Sequence, residues 1–184
     1  MSDARDRLIA LIREHSYKEG EFVLASGRTS SFYIDLRRTS LTAEGAMLIG
    51  ELMLDNFVAS GWDAAGIGGM TLGADPLTTA VGIEAFRRGL DLSCFIVRKE
   101  PKGHGARSQV EVGGDLAEGA KVVLLEDTTT TGGSTLRAAQ VMRAAGYDVV
   151  GAICLVDRGE GAAEALGSAG VPLRSVFTLD DLRS

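Results

Sequence analysis

Residues 121–134 read Lys121-Val122-Val123-Leu124-Leu125-Glu126-Asp127-Thr128-Thr129-Thr130-Thr131-Gly132-Gly133-Ser134. Val122–Leu125 is apolar without alternation, the pattern of a strand covered on both faces of a parallel sheet. Two acids end that strand. Four threonines, two glycines and a serine then lead into a helix expected over about Gly133–Ala145. Hydroxyls and the N–H groups of a helix N-terminus suit a phosphate dianion, and glycines let the backbone approach it closely. Adjacent carboxylates suit neighbouring hydroxyls or a hydrated metal. A site taking both a phosphate and vicinal hydroxyls points to a ribose phosphate. The plainer alternative is a strand–loop–helix turn capped by Ser134 or Thr131, but a lone cap calls for neither two acids nor four threonines.

The same alternation continues on either side. Strands are expected at Ala64–Gly68, Leu92–Val97, Val149–Val156 and Leu173–Thr178, with helices over about Asp75–Arg88 and Gly161–Ala169. The fold class is therefore α/β, a mostly parallel sheet with helices on both faces. A longer helix is expected from Thr42 to about Ala59, ended by Gly61, with Trp62 packed beside it. Residues 1–40 break the alternation. They offer a helix over 3–15 with Leu8, Ile9, Leu11 and Ile12 on one face, and His15 as a favourable charge at its end. A strand at Phe22–Leu24, a turn at Ser26–Thr29 and a strand at Phe32–Leu36 follow. They read as a hood-like appendage on one domain spanning 1–184.

Ligands of open α/β sheets sit beyond the carboxyl ends of the strands. Four polar or glycine-rich loops fall there, beginning at Gly69, Arg98, Glu126 and Asp157. Gly66-Ile67-Gly68-Gly69-Met70-Thr71 nearly forms a dinucleotide fingerprint, but Thr71 stands where the third glycine belongs, and no P-loop pattern occurs. Arg98-Lys99-Glu100-Pro101-Lys102-Gly103-His104-Gly105-Ala106-Arg107 holds four cations against one acid in a chain of net charge -6. It reads as a movable cationic lid over a highly anionic leaving group such as pyrophosphate, against the alternative of a solvated surface loop. Arg158 could fork onto a substrate carboxylate or form a surface ion pair. Tyr33 reads as a core aromatic before a stacking one.

The net charge excludes general electrostatic binding to nucleic acid or to an anionic membrane. No apolar run approaches the roughly 20 residues that span a bilayer, and the mixed charges of residues 1–7 are not those of a signal peptide. Cys94 and Cys154 lie far apart in strand-like segments and read as reduced core thiols. A cytoplasmic protein is expected.

The segment Glu126–Ser134 resembles the phosphoribosyl-diphosphate (PRPP) motif of type I phosphoribosyltransferases. Arg98-Lys99-x-x-Lys102-x-His104-Gly105 resembles the catalytic lid of the orotate phosphoribosyltransferases, and Phe22-x-Leu24-x-Ser26-Gly27-Arg28-x-Ser30 and Val156-Asp157-Arg158 also match them. The likeness spans nearly the whole chain. It implies the type I phosphoribosyltransferase fold and transfer of the ribose 5-phosphate group from PRPP to orotate. Mg²⁺ would be the cofactor, held mainly by PRPP. By the same resemblance, Glu126 and Asp127 would hold the ribose hydroxyls, and Thr128, Thr129, Thr130, Thr131, Gly132, Gly133 and Ser134 the 5′-phosphate. Arg98, Lys99, Lys102 and His104 would contact the pyrophosphate, and Thr130 and Arg158 would hold orotate. A homodimer sharing the lid between subunits is implied as well. The chain departs from the family pattern at Ala25 and Leu72, where lysines are usual, at Tyr33-Ile34, where paired aromatics are usual, and at Glu126, where aspartate is. Those changes keep two alternatives in view: a phosphoribosyltransferase for another base, or a PRPP-sensing regulator without catalysis.

Overall fold

The computed structural model of the chain describes residues 2–23, 27, 29–102 and 109–183. The first elements are helix α1 (Ser2–His15), strands β1 (Tyr17–Val23) and β2 (Thr29–Ile34), and the short helix α2 (Arg37–Ser40). β1 and β2 form a two-stranded antiparallel sheet of their own, which is the body of the hood. This hairpin begins earlier than the sequence pattern predicts: β1 starts at Tyr17, and Leu36 caps α2 instead of closing β2. Most of β1 faces solvent, so the buried–exposed alternation that announces a strand is missing from it. Leu24, Ala25 and Ser26, part of the expected strand and turn, lie outside the described residues.

Helix α3 (Ala43–Ser60) starts on Thr42, whose hydroxyl accepts from the Gly45 N–H at 3.1 Å, and ends on Gly61. From there strands and helices alternate: β3 (Gly66–Met70), α4 (Ala74–Arg87), β4 (Ser93–Val97), β5 (Val110–Val112), β6 (Lys121–Thr129), α5 (Gly133–Ala144), β7 (Asp148–Asp157), α6 (Ala162–Ser168), β8 (Leu173–Thr178) and α7 (Leu179–Arg183). The six-stranded sheet runs β5-β4-β3-β6-β7-β8. All its pairings are parallel except that of β5, which adds antiparallel to the β4 edge. Neither β5 nor α7 is legible beforehand, because three and five residues are too few to set a period.

Side chains of β6 alternate between two cores. Val123 and Leu125 join α1, α3 and α4 on one face, whereas Val122 and Leu124 join α5 and α6 on the other. That two-sided burial is why Val122–Leu125 is apolar without alternation. Leu8, Leu11 and Ile12 bring α1 into the first core. Trp62 packs on Gly151 of β7, where an added Cβ would stand 2.5 Å from the indole. Its partner is thus the sheet, beyond the helix it follows. The glycines of the near-fingerprint serve strand packing: at Gly69 a Cβ would lie 2.0 Å from the Leu125 carbonyl oxygen. Both cysteines are free thiols, Cys154 fully buried and Cys94 partly so. Among the described residues no helix is long and apolar enough to cross a membrane.

Candidate active site

Strand order reverses between β3 and β6, and the residues that follow these two neighbours face one cavity of about 390 Å³. A crevice at such a switch point is where open α/β sheets hold ligands. Four strand ends contribute: Thr71, Leu72 and Gly73 after β3, Lys99 after β4, Glu126, Asp127, Thr128, Thr130 and Ser134 at and beyond the end of β6, and Arg158 after β7. The hood closes one side with Tyr33, Ile34, Asp35 and Arg37.

β6 runs on through Thr129, so Glu126 and Asp127 sit inside the strand, pinned by pairing with β7. Glu126 is buried, and its Oε2 accepts from Ser134 Oγ at 2.7 Å and from Thr135 Oγ1 at 3.0 Å. Burial, reinforced by the charge of Asp127, pushes Glu126 up to about 7 despite those hydroxyls. Burial also raises Asp127, opposed by the Thr128 N–H that donates to its Oδ1 at 2.7 Å. Two buried carboxylates side by side hold a proton more tightly than separate ones and gain from any cation or hydroxyl donor brought to them.

Gly73 fits against Asp127: an added Cβ would come within 2.9 Å of the carboxylate. Arg37 pairs with Asp35 through Nε and Oδ1 at 2.9 Å, which lowers the Asp35 pKa, and its charge also reaches Asp127. Arg158 is largely buried, with Nη2 on Glu160 at 2.8 Å and its guanidinium 4.7 Å from the Phe32 ring centroid. Its buried Nε has no hydrogen-bond partner among the described residues, and the residue lines the cavity.

The expected site residues divide. Lys99, Glu126, Asp127, Thr128, Thr130, Ser134 and Arg158 meet at the cavity. Thr129 points into the protein and is buried. Thr131, Gly132 and Gly133 form the turn into α5 beside the cavity, with Gly132 as its N-cap and no side-chain cap bond. Arg98 turns away to Glu111 at 2.9 Å, and exposed Lys102 does not line the cavity. His104 lies outside the described residues. Tyr33 corrects the expectation of a core aromatic: it is 43% exposed, borders the cavity and packs on the Phe22 ring at 5.7 Å. Asp35, Arg37 and Gly73 are additions. Only the contact between hood and sheet reveals them, and no local pattern marks them in the sequence.

Among the described residues no three His, Cys, Asp or Glu side chains group as metal ligands. The donor set is Glu126 and Asp127, which fits an ion that keeps most of its coordination on waters and substrate oxygens.

Residues 83–169 match the family described as phosphoribosyl transferase domain. The chain is 48% identical over 177 residues to an orotate phosphoribosyltransferase of Sorangium cellulosum, covering 96% of this chain and 92% of that protein. A Nostoc orotate phosphoribosyltransferase is 44% identical, covering 100% and 87%. The orotate phosphoribosyltransferase of Mycobacterium tuberculosis H37Rv, solved with Fe(III) dicitrate, superposes with a TM-score of 0.84 at 40% identity over 97% of this chain and 98% of the other. Its complex with PRPP gives 0.79 at 38% identity, covering 98% and 99%.

Proposed function

The chain belongs to the orotate phosphoribosyltransferase family, and on that premise we propose that it transfers the ribose 5-phosphate group of PRPP to orotate. The products are orotidine 5′-monophosphate and pyrophosphate, a step of pyrimidine nucleotide synthesis. One observation carries the reading: a single cavity joins a paired carboxylate, a threonine loop at a helix N-terminus, a lysine and a buried arginine.

The C1–pyrophosphate bond breaks, the bond from C1 to orotate N1 forms, and the N1 proton leaves. Positive charge builds on the ribose and negative charge on the departing pyrophosphate. Glu126 and Asp127 accept from the ribose hydroxyls and favour the first. Lys99 favours the second from within the cavity, joined by Arg98, Lys102 and His104 of the lid. Lys102 and His104 are the lid groups able to move a proton. The loop from Thr130 to Ser134, with Thr128 beside it, and the first N–H groups of α5 hold the 5′-phosphate, while the Thr129 side chain stays in the protein interior. Arg158, on the cavity wall with Thr130, donates to the orotate carboxylate. Mg²⁺ would be held mainly by PRPP, with the Glu126 and Asp127 carboxylates the donors this chain could offer, and would supply charge neutralisation for the leaving group.

The working form is a homodimer in the cytoplasm. Supporting this, the outer face of α3 and α4 exposes Met47, Ile83 and Phe86, with Leu41 at its margin. Arg98 is held by Glu111, and neither it nor Lys102 lines the cavity, in keeping with a lid shared between subunits. The deciding assay follows orotate absorbance with PRPP and Mg²⁺, with adenine, hypoxanthine and uracil tested by pyrophosphate release. Turnover of orotate alone is expected; turnover of a purine, or of no base, would overturn the assignment.

A further inference from the structure

Phe32 is the buried side chain of β2, 7% exposed while its neighbours on the strand face out. Three other side chains meet its ring. Tyr17 of β1 stacks at 6.0 Å with planes 28° apart. The Arg158 guanidinium lies 4.7 Å from the ring centroid, and that of Arg183 in α7 lies 5.1 Å away. Two cations on one aromatic ring are unusual, because their charges repel and each must gain enough from the ring to stay. Arg183 also reaches Asp180 at 3.7 Å, and Arg158 reaches Glu160 at 2.8 Å.

Arg158 has two geometric supports at its head: the carboxylate of Glu160 and the face of Phe32. Glu160 alone fixes one nitrogen and leaves the guanidinium plane able to rotate about that contact. The ring removes this freedom, because the cation gains most when it lies over the π face. A planar fork recognises a carboxylate well only when its plane is set in advance.

We propose that Phe32 is a positioning residue that sets the plane of Arg158 and thereby the recognition of a carboxylate-bearing base. Tyr17 and Arg183 hold the ring in place, so hood, β7 and the last helix meet at one contact. The inference rests on the orotate reading above. It makes the hood part of base selection, although Phe32 does not line the cavity.

The test places progressively fluorinated phenylalanines at position 32, which keep the ring's shape while withdrawing its π charge, alongside Phe32→Tyr and Phe32→Leu. Melting temperature reports folding, and steady-state kinetics give KM for orotate and for PRPP separately. With increasing fluorination the orotate KM should rise stepwise to roughly five- to tenfold, while the PRPP KM stays within about twofold. Phe32→Tyr should restore the parent orotate KM, and Phe32→Leu should resemble the most fluorinated ring. An orotate KM indifferent to fluorination, or both KM values rising together, overturns the proposal. Absence of orotate turnover in the parent protein would instead overturn the functional reading on which it depends, so the two failures are distinct.

Discussion

Ser134 Oγ donates to Glu126 Oε2 across 2.7 Å, from the first turn of α5 back to the interior of β6. The serine thus braces a buried acid instead of capping its own helix, and Thr135 adds a second donor at 3.0 Å to the same oxygen. Strand and helix are locked together at the point where the threonine loop leaves the sheet. The loop keeps its shape because both its ends are fixed.

That acid makes stability depend on pH in an uncommon direction. Burial lifts Glu126 from 4.5 to about 7, so the native state keeps a proton that the unfolded chain has already lost. Stability falls as pH rises through that window, by at most about 3 kcal/mol. Asp35 and Asp181 are shifted downwards, and their contributions are lost only at lower pH, near and below the ordinary aspartate range. Urea unfolding of the ligand-free protein should show lower stability at about pH 8 than at about pH 5.5, and Glu126→Gln should flatten that difference.

Gly73→Ala tests how closely the β3 loop supports Asp127. A methyl group 2.9 Å from the carboxylate forces one of them to move. The fold should survive, because α4 tolerates alanine at its start, but the PRPP KM should rise roughly tenfold or more. Melting curves and initial rates at varied PRPP check both halves.

Arg158→Ala removes the buried guanidinium together with its contacts to Glu160 and to the Phe32 ring. Its kcat/KM for orotate should drop roughly a hundredfold, with the PRPP KM changed far less. Equal loss for both substrates would place Arg158 elsewhere in the reaction.

Lys99 and Arg98 are neighbours in sequence with different positions. Lys99 borders the cavity, whereas Arg98 is tied to Glu111 across the β4–β5 edge. Lys99→Ala should lower kcat/KM for PRPP at least about tenfold, and Arg98→Ala by less in the same assay.

Ile83→Asp puts a charge on the exposed apolar face of α4. Light scattering should report a dimer for the parent protein and a monomer for the variant, with activity falling alongside, because a charge is costly in the apolar core of such an interface. A dimer of unchanged mass would move the subunit contact to another face.

The β–α alternation, the two-sided burial of β6 and the PRPP-like loop were legible in the sequence because each is a local pattern. Periodicity and loop composition act over a few residues, and they set the fold class and the identity of the central acids. β5, α2 and α7 were not legible, because elements of three to five residues are set by the surfaces they meet. The same limit applied to the lid. Composition marked a cluster of cations, but only packing sent Lys99 into the cavity and Arg98 to Glu111.

Local sequence was enough for the α/β class, for the order of the strands along the chain, and for naming Glu126, Asp127 and Arg158 as candidates, which line one cavity. These follow from hydrophobic period and from chemistry at strand ends, which short-range order encodes. Tertiary structure alone decided that Tyr33 faces the cavity, that Arg37 and Gly73 stand beside Asp127, and that Phe32 lies against Arg158. Those pairs join the hood or the β3 loop to strands more than fifty residues further along the chain. Contacts at such separations leave no local period, and they exist only once burial of the shared core has brought the segments together.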